Sequence, residues 1–293
     1  MKKYKILYLA VFNPNSTNVY QSRGLKESGH EVIEYNYRDM AGPMGGAHGR
    51  DTHLIELAKV EKPDLVIYSK ANGMHHRVID EHNKISKTVL WYMDGTEPHT
   101  FNQELIEKIK RVNGFACGVE AGVKKSLEFN SNTKYIFQPA DEMANTPLDI
   151  NKDIDVSFIG HIDNAKGHEH RHKYKRSVPF THITGVFGDE HNKAVNRSKI
   201  NLNFSPENLG GCSVRIYKLL QCGAFILTTP WYNMEETFTI GKHLDVFKTP
   251  EELRDKIKYY LNNPNEMEKI RKNAYELSKQ YSVSYWANQI TNL

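Results

Sequence analysis

Short, unbroken apolar runs recur along this chain, and a helical stretch follows nearly every one. In the first half they are KILYLAVF (5–12), EVIEYNY (31–37), PDLVIYSK (63–70), KTVLWYMD (87–94), NGFACG (113–118) and KYIFQPA (134–140). Continuously apolar runs suit strands buried on both faces. Helices are expected at 51–61, 77–85 and 101–111. A helix between two strands supplies the long crossover that parallel pairing needs. The segment 41–50, AGPMGGAHGR, holds four glycines and a proline and reads as a flexible loop, long enough to be functional. A second series follows: DVSFIGH (155–161), THITG (181–185), KINLNF (199–204), AFILTT (224–229) and DVFKT (245–249), with helices at 168–176, 189–197 and 213–222. Thr249-Pro250-Glu251-Glu252 is a capping box with proline at the first helical position, and Leu253, Ile257, Tyr260 and Leu261 form a buried stripe behind it. Helices at 265–280 and 283–291 close the chain.

The polar, aperiodic stretch 141–153 separates the two series. The predicted fold is α/β: two doubly wound, Rossmann-like domains facing a cleft, the first over 1–145 and the second over 154–280. A length of 293 residues is enough for two modest cores. At 39% hydrophobic and 25% charged the chain is neither disordered nor fibrous. A net charge of +4 falls short of a dedicated nucleic-acid coat and fits an anionic small ligand. Three widely spaced cysteines (Cys117, Cys212, Cys222) suggest neither a disulfide frame nor a zinc knuckle. The opening MKKYKILYLAVF is broken by Tyr8 and lacks a small-residue cleavage site, so it reads as a first buried strand. No apolar run reaches the ~18 residues of a membrane span, and a cytoplasmic location is the expectation.

The stretch SVRIYKLLQCGAFILTT (213–229) carries the chemistry. Arg215 and Lys218 stand one helical turn apart, after Gly210 and Gly211 and before a buried strand. The glycines allow close backbone approach, and the helix start at Gly211, Cys212 and Ser213 directs amide groups and a positive dipole end at an anion. Arg215 adds a planar guanidinium fork suited to phosphate oxygens.

DVSFIG, SKINLNF, SVRIYKLLQCGAFILTT, the Glu235-Glu236 pair before Phe238 and Gly241-Lys242, and VFKTPEELRDKIKYYLNNP follow one another in an order that resembles the C-terminal half of GT-B glycosyltransferases. The match is with the group 1-like, spore-maturation-protein-like set; it covers 150–293 well and 1–140, through KILYL, GHEV and WYMD, more loosely. The resemblance implies a sugar-nucleotide donor held by the second domain and an acceptor held by the first. It also implies a terminal helix (281–293) that crosses back to the first domain, and no required metal or cofactor. One departure stands out. Relatives with two glutamates separated by seven intervening residues use the second to hold the donor ribose; Lys218 occupies that position here and Gly210 the first. A cation cannot accept hydrogen bonds from ribose hydroxyls. Glu235 or Glu236 takes over, or the donor carries more phosphate, or donor binding has been lost.

Asp94, at a strand's carboxyl end, is the candidate to orient or deprotonate an acceptor hydroxyl, against a turn-capping role. Gly160 would admit a diphosphate or sugar and His161 would donate to it; the loop Asn13–Ser16 belongs to the same expected cleft. Gly185 and Phe187 are candidates for the nucleobase, against a loop with a buried aromatic. HEHRH (168–172) reads as a histidine-rich surface helix rather than a metal site. The expected activity is transfer of a hexosyl or pentosyl group from an activated phosphate donor to a hydroxyl of a glycan, protein, small molecule or modified DNA base. A sugar-nucleotide epimerase and a non-catalytic nucleotide-sugar binder are the alternatives.

Overall fold

The computed structural model describes residues 2–94, 101–162, 169–205 and 212–293. They form two compact units: Met1–Gln138 with Val283–Leu293, and Pro139–Ser282. No helix among them is long and apolar enough to cross a membrane.

The first unit runs β1 (Lys5–Ala10), α1 (Thr17–Glu27), β2 (Glu31–Asn36), α2 (Ala47–Glu61), β3 (Leu65–Ser69), α3 (Arg77–His82), β4 (Lys87–Tyr92), α4 (Gln103–Ile109), β5 (Gly114–Cys117), α5 (Glu120–Ser126) and β6 (Thr133–Tyr135). All pairings are parallel, in the order β2-β1-β3-β4-β5-β6. Ile6–Ala10, Leu65–Ser69 and Thr88–Tyr92 are buried, as runs covered on both faces must be. Ser16 caps α1 by accepting from the Asn18 amide, and Asn102 caps α4 by accepting from Leu105. The glycine-rich loop is shorter than expected. Gly45 and Gly46, both at positive φ, turn the chain, and α2 already starts at Ala47. Inside that helix Gly49 is required by packing, because a Cβ there would lie 1.7 Å from the Met44 carbonyl oxygen. The terminal helix Val283–Thr291 packs on α1. Gly24 permits this contact: a Cβ at Gly24 would meet Val283 Cγ1 at 2.3 Å. Trp286 meets Trp91 edge-on, with ring centroids 6.0 Å apart.

The second unit runs β7 (Ile154–Ile159), α6 (His172–Ser177), β8 (Thr181–Ile183), α7 (Gly188–Arg197), β9 (Ser198–Asn203), α8 (Val214–Gln221), β10 (Ile226–Thr228), β11 (Asp245–Val246), α9 (Pro250–Asn262) and α10 (Pro264–Ser278). Its strands are also all parallel, in the order β11-β10-β9-β7-β8. The core gathers Phe158, Tyr174, Phe204, Phe225, Phe247, Leu253 and Tyr260, with Ile257 and Leu261 packed against it. Half of the expected box forms at α9: Thr249 accepts from the Glu252 amide, whereas the Glu252 carboxylate accepts from the Lys248 amide, one residue before the cap. The polar stretch after residue 140 is not a free linker. Asn192 and Asn196 on α7 accept from the Thr146 and Leu148 amides, and Asn196 donates to the Thr146 carbonyl.

Strand order matters more to function than strand content. Successive strands are added in opposite directions from a starting strand in each sheet. The switch points lie between β1 and β3 in the first unit and between β7 and β9 in the second. Loops diverge there at the carboxyl edge and leave a crevice for ligands.

Candidate functional site

Arg215 bridges the switch point of the second unit. Its helix is amphipathic: Ile216, Leu219 and Leu220 are buried, which leaves Arg215 and Lys218 on the flank. Arg215 Nε donates to the carbonyl of Ile159, the last residue of β7, at 3.0 Å, and Nη1 donates to Asn203 Oδ1, at the end of β9, at 3.1 Å. The guanidinium lies over the Phe158 ring, 5.0 Å from its centroid. Arg171 stands over the same ring at 5.5 Å and donates from Nη1 to the His161 carbonyl at 2.6 Å. Arg171 is only 5% exposed, and its buried Nε has no hydrogen-bond partner among the described residues.

Lys218 and His191 complete the group. The Lys218 ammonium makes no hydrogen bond or ion pair among the described residues; Asp141 offsets its charge only at a distance. Burial lowers Arg215 to about 10, and burial with the Arg215 charge lowers Arg171 to about 9, so both remain protonated at neutral pH. Lys218 is lowered by burial and then by Arg215. His191 is pushed down to about 4 by burial, then by Lys218 and Arg215, and is therefore neutral. Burial is the first cause of all four shifts, and neighbouring cations add to it at Arg171, Lys218 and His191; no carboxylate is bonded to the three cations among the described residues. A bound anion would offset these charges.

Gly160 follows β7 at φ +145°, and a Cβ there would lie 2.6 Å from Arg215 Nη2. The space that a side chain at Gly160 would fill is taken by Arg215. Gly160→Ala is expected to destabilise the protein by about 1–3 kcal/mol through strain and overpacking. Gly185, at φ +74° in open space, supplies the control, since Gly185→Ala adds backbone strain alone. Urea unfolding of the two variants checks this; equal losses would mean that Arg215 gives way freely.

The remaining candidates divide. Ser213 is the exposed N-cap residue of α8 and makes no side-chain cap bond; Cys212 beside it is buried. His161 is exposed and enters the group only through its carbonyl. Gly185 and Phe187 follow β8 at the same carboxyl edge, and Phe187 is 58% exposed rather than buried. Glu235 and Glu236 lie in an exposed turn of 3-10 helix after β10, and no hydrogen bond or ion pair ties either to the cationic group. Gly210, Gly211 and His168 lie outside the described residues. The histidine-rich segment is a 3-10 turn, Glu169–Arg171, leading into α6, and no group of three His, Cys, Asp or Glu gathers among the described residues.

In the first unit Asp94 follows β4 and pairs with Lys70, Nζ to Oδ1 at 2.5 Å. Lys70 and Ala71 both have positive φ, +60° and +54°, an unusual pair for residues with side chains. Three bonds hold them there: Lys70 N–H to Trp91 O, Ala71 N–H to Ser69 O, and buried Lys108 Nζ to Ala71 O. Asp94, Tyr92, Asn102 and Glu104 line a cavity of about 210 Å³ with Lys70.

Sequence reasoning missed Lys70 and Arg171. Lys70 is the last residue of the run PDLVIYSK, a carboxyl-end position equivalent to that of Asp94, so the same rule would have found it. Arg171 was hidden inside a histidine pattern examined only for metal binding.

Residues 137–292 match the family model described as "Glycosyl transferase-like". No curated protein matches the chain. Among solved structures, the chain is similar to Anabaena HepE in complex with UDP-glucose (13% identity, TM-score 0.67, 99% of this chain and 98% of that one). It is similar to sucrose-phosphate synthase from Thermosynechococcus elongatus (10%, TM-score 0.73, 98% of each). It also resembles a glycosyltransferase from Rickettsia africae ESF-5 (12%, TM-score 0.69, 100% of this chain and 98% of that one).

Proposed function

This chain belongs to the glycosyl transferase-like family and has the GT-B fold, and from that premise we propose that its second unit holds a nucleoside-diphosphate sugar by the diphosphate. The enzyme is a glycosyltransferase, moving a sugar from an activated phosphate donor to a hydroxyl acceptor. The observation that carries the donor reading is the group of Arg171, Arg215 and Lys218 at the switch point, with no bonded carboxylate among the described residues. The HepE complexes, which contain UDP or UDP-glucose on the same fold, support it.

In the proposed reaction an acceptor oxygen forms a bond to the anomeric carbon, and the bond from that carbon to the phosphate oxygen breaks. The electron pair leaves with the diphosphate, where Arg215, Arg171 and Lys218 stabilise it. The proton lost by the hydroxyl passes to Asp94. Fixed cations in a poorly solvated site contribute several kcal/mol to such a step, and as proposed it needs no metal ion.

A thermal-shift panel of UDP, GDP, CDP, ADP and dTDP tests the donor site. One nucleotide is expected to raise the midpoint with concentration, by about 2.7 kcal/mol of added stability at a hundred times its Kd. A flat response to all five would remove the donor reading.

A further inference from the structure

The first unit has its own switch point, and it too is cationic. We propose that this crevice is a phosphate subsite and that the acceptor is a phosphorylated sugar, a conclusion that rests on the transferase reading for its consequence.

A cavity of about 350 Å³ opens there, lined by the loop after β1, the residues after β2 and the end of β3. Its lining includes Arg38 and Lys70 and no Asp or Glu. Arg38 is exposed and has no carboxylate partner among the described residues; its guanidinium bonds the Tyr37 phenol and its amide donates to Asn36 Oδ1. Lys70 is paired with Asp94, so among the described residues Arg38 leaves the crevice with a positive charge that no ion pair offsets. The start of α1 also opens onto it through Thr17, and the first turn of α1 contains no acid. Asn13 and Asn15 line it with side-chain amides that have no partner among the described residues.

This donor set selects a chemistry. Amides and a hydroxyl suit the hydroxyls of a polyol, and an unpaired guanidinium suits a phosphate. The cavity falls in the range of small-molecule sites. Lys70 lines both this cavity and the smaller one that contains Asp94. A sugar anchored by its phosphate beside Arg38 therefore has its hydroxyls next to the residue proposed to take the proton.

The test is titration calorimetry on the full chain with glucose 6-phosphate, fructose 6-phosphate, inorganic phosphate and glucose, on wild type, Arg38→Gln and Arg215→Ala. At least one sugar phosphate is expected to bind, the free sugar at least about tenfold more weakly. Arg38→Gln should lose about tenfold in that affinity, the effect of removing one charge-assisted hydrogen bond. Its nucleotide-induced thermal shift should remain that of wild type. The proposal is overturned if none of the phosphates binds, if sugar and sugar phosphate bind alike, or if Arg38→Gln binds as wild type. Binding lost only in Arg215→Ala belongs to the second unit and overturns it as well. Arg38-dependent binding of a single-stranded oligonucleotide without sugar-phosphate binding would make the ligand a polymer and replace the small-molecule acceptor. A retained nucleotide shift beside failed sugar-phosphate binding leaves the donor reading standing, so the two failures are distinguishable.

Discussion

Arg215→Ala is expected to abolish the nucleotide-induced thermal shift and to slow sugar transfer by about 10²- to 10³-fold, the usual cost of removing one preorganised charge stabiliser. Arg215 is held by the ends of β7 and β9, so it arrives at the anion already oriented. The substitution also leaves the Ile159 carbonyl and Asn203 Oδ1 without their donor, at a cost of about 1–3 kcal/mol in stability. Part of that is returned, because Lys218, Arg171 and His191 lose a nearby positive charge. Urea unfolding separates this structural loss from the loss of binding. Arg215→Lys sharpens the result: it keeps a charge but not a planar fork able to hold two strand ends and a phosphate together. It should therefore recover little of the transfer rate. An alanine variant that still shows the full nucleotide shift would confine Arg215 to bracing the sheet edge.

Asp94→Asn is expected to lower kcat by about 10²- to 10⁴-fold, the range for loss of a positioned general base. Nucleotide binding should be unchanged, since the cations proposed to hold the diphosphate all belong to the second unit. Stability should barely move. The Lys70–Asp94 pair is partly exposed, 27% and 36% at the two side chains, and a pair so exposed contributes at most about 1 kcal/mol. Asparagine retains the shape and can still cap the turn, so it removes the proton acceptor and the charge but little else. Steady-state kinetics with saturating donor decides the matter. If kcat stays within a few-fold of wild type, Asp94 is a turn residue and the proton goes elsewhere.

Much of this molecule is legible in its sequence because much of it is local. Buried strands appear as unbroken apolar runs, α8 and α9 as helical stripes, and the start of α9 as a capping box. The parallel sheets follow from the alternation, and the family from the order of segments after residue 150. Local pattern is less informative where packing decides. Gly49 falls in a glycine-rich stretch that suggests a loop, yet it is a helical residue packed on Met44 O. At Gly160 a Cβ would lie 2.6 Å from Arg215 Nη2, a contact that no local pattern encodes.

The sequence by itself determined the two α/β series, the family and the cation-bearing helix α8. Tertiary structure alone decided where those cations stand. Strand order, which no local pattern encodes, places the switch points; that of the second unit brings Arg215 to Ile159 across 56 residues, and the pairing of β3 with β4 brings Lys70 to Asp94 across 24. Arg171 is a candidate because its buried Nε has no partner among the described residues and a second guanidinium stands over the same ring. The physical reason is the range of the forces. Helix propensity, capping and hydrophobic period act within a few residues. Desolvation and Coulomb repulsion among gathered charges exist only after distant segments have been packed together.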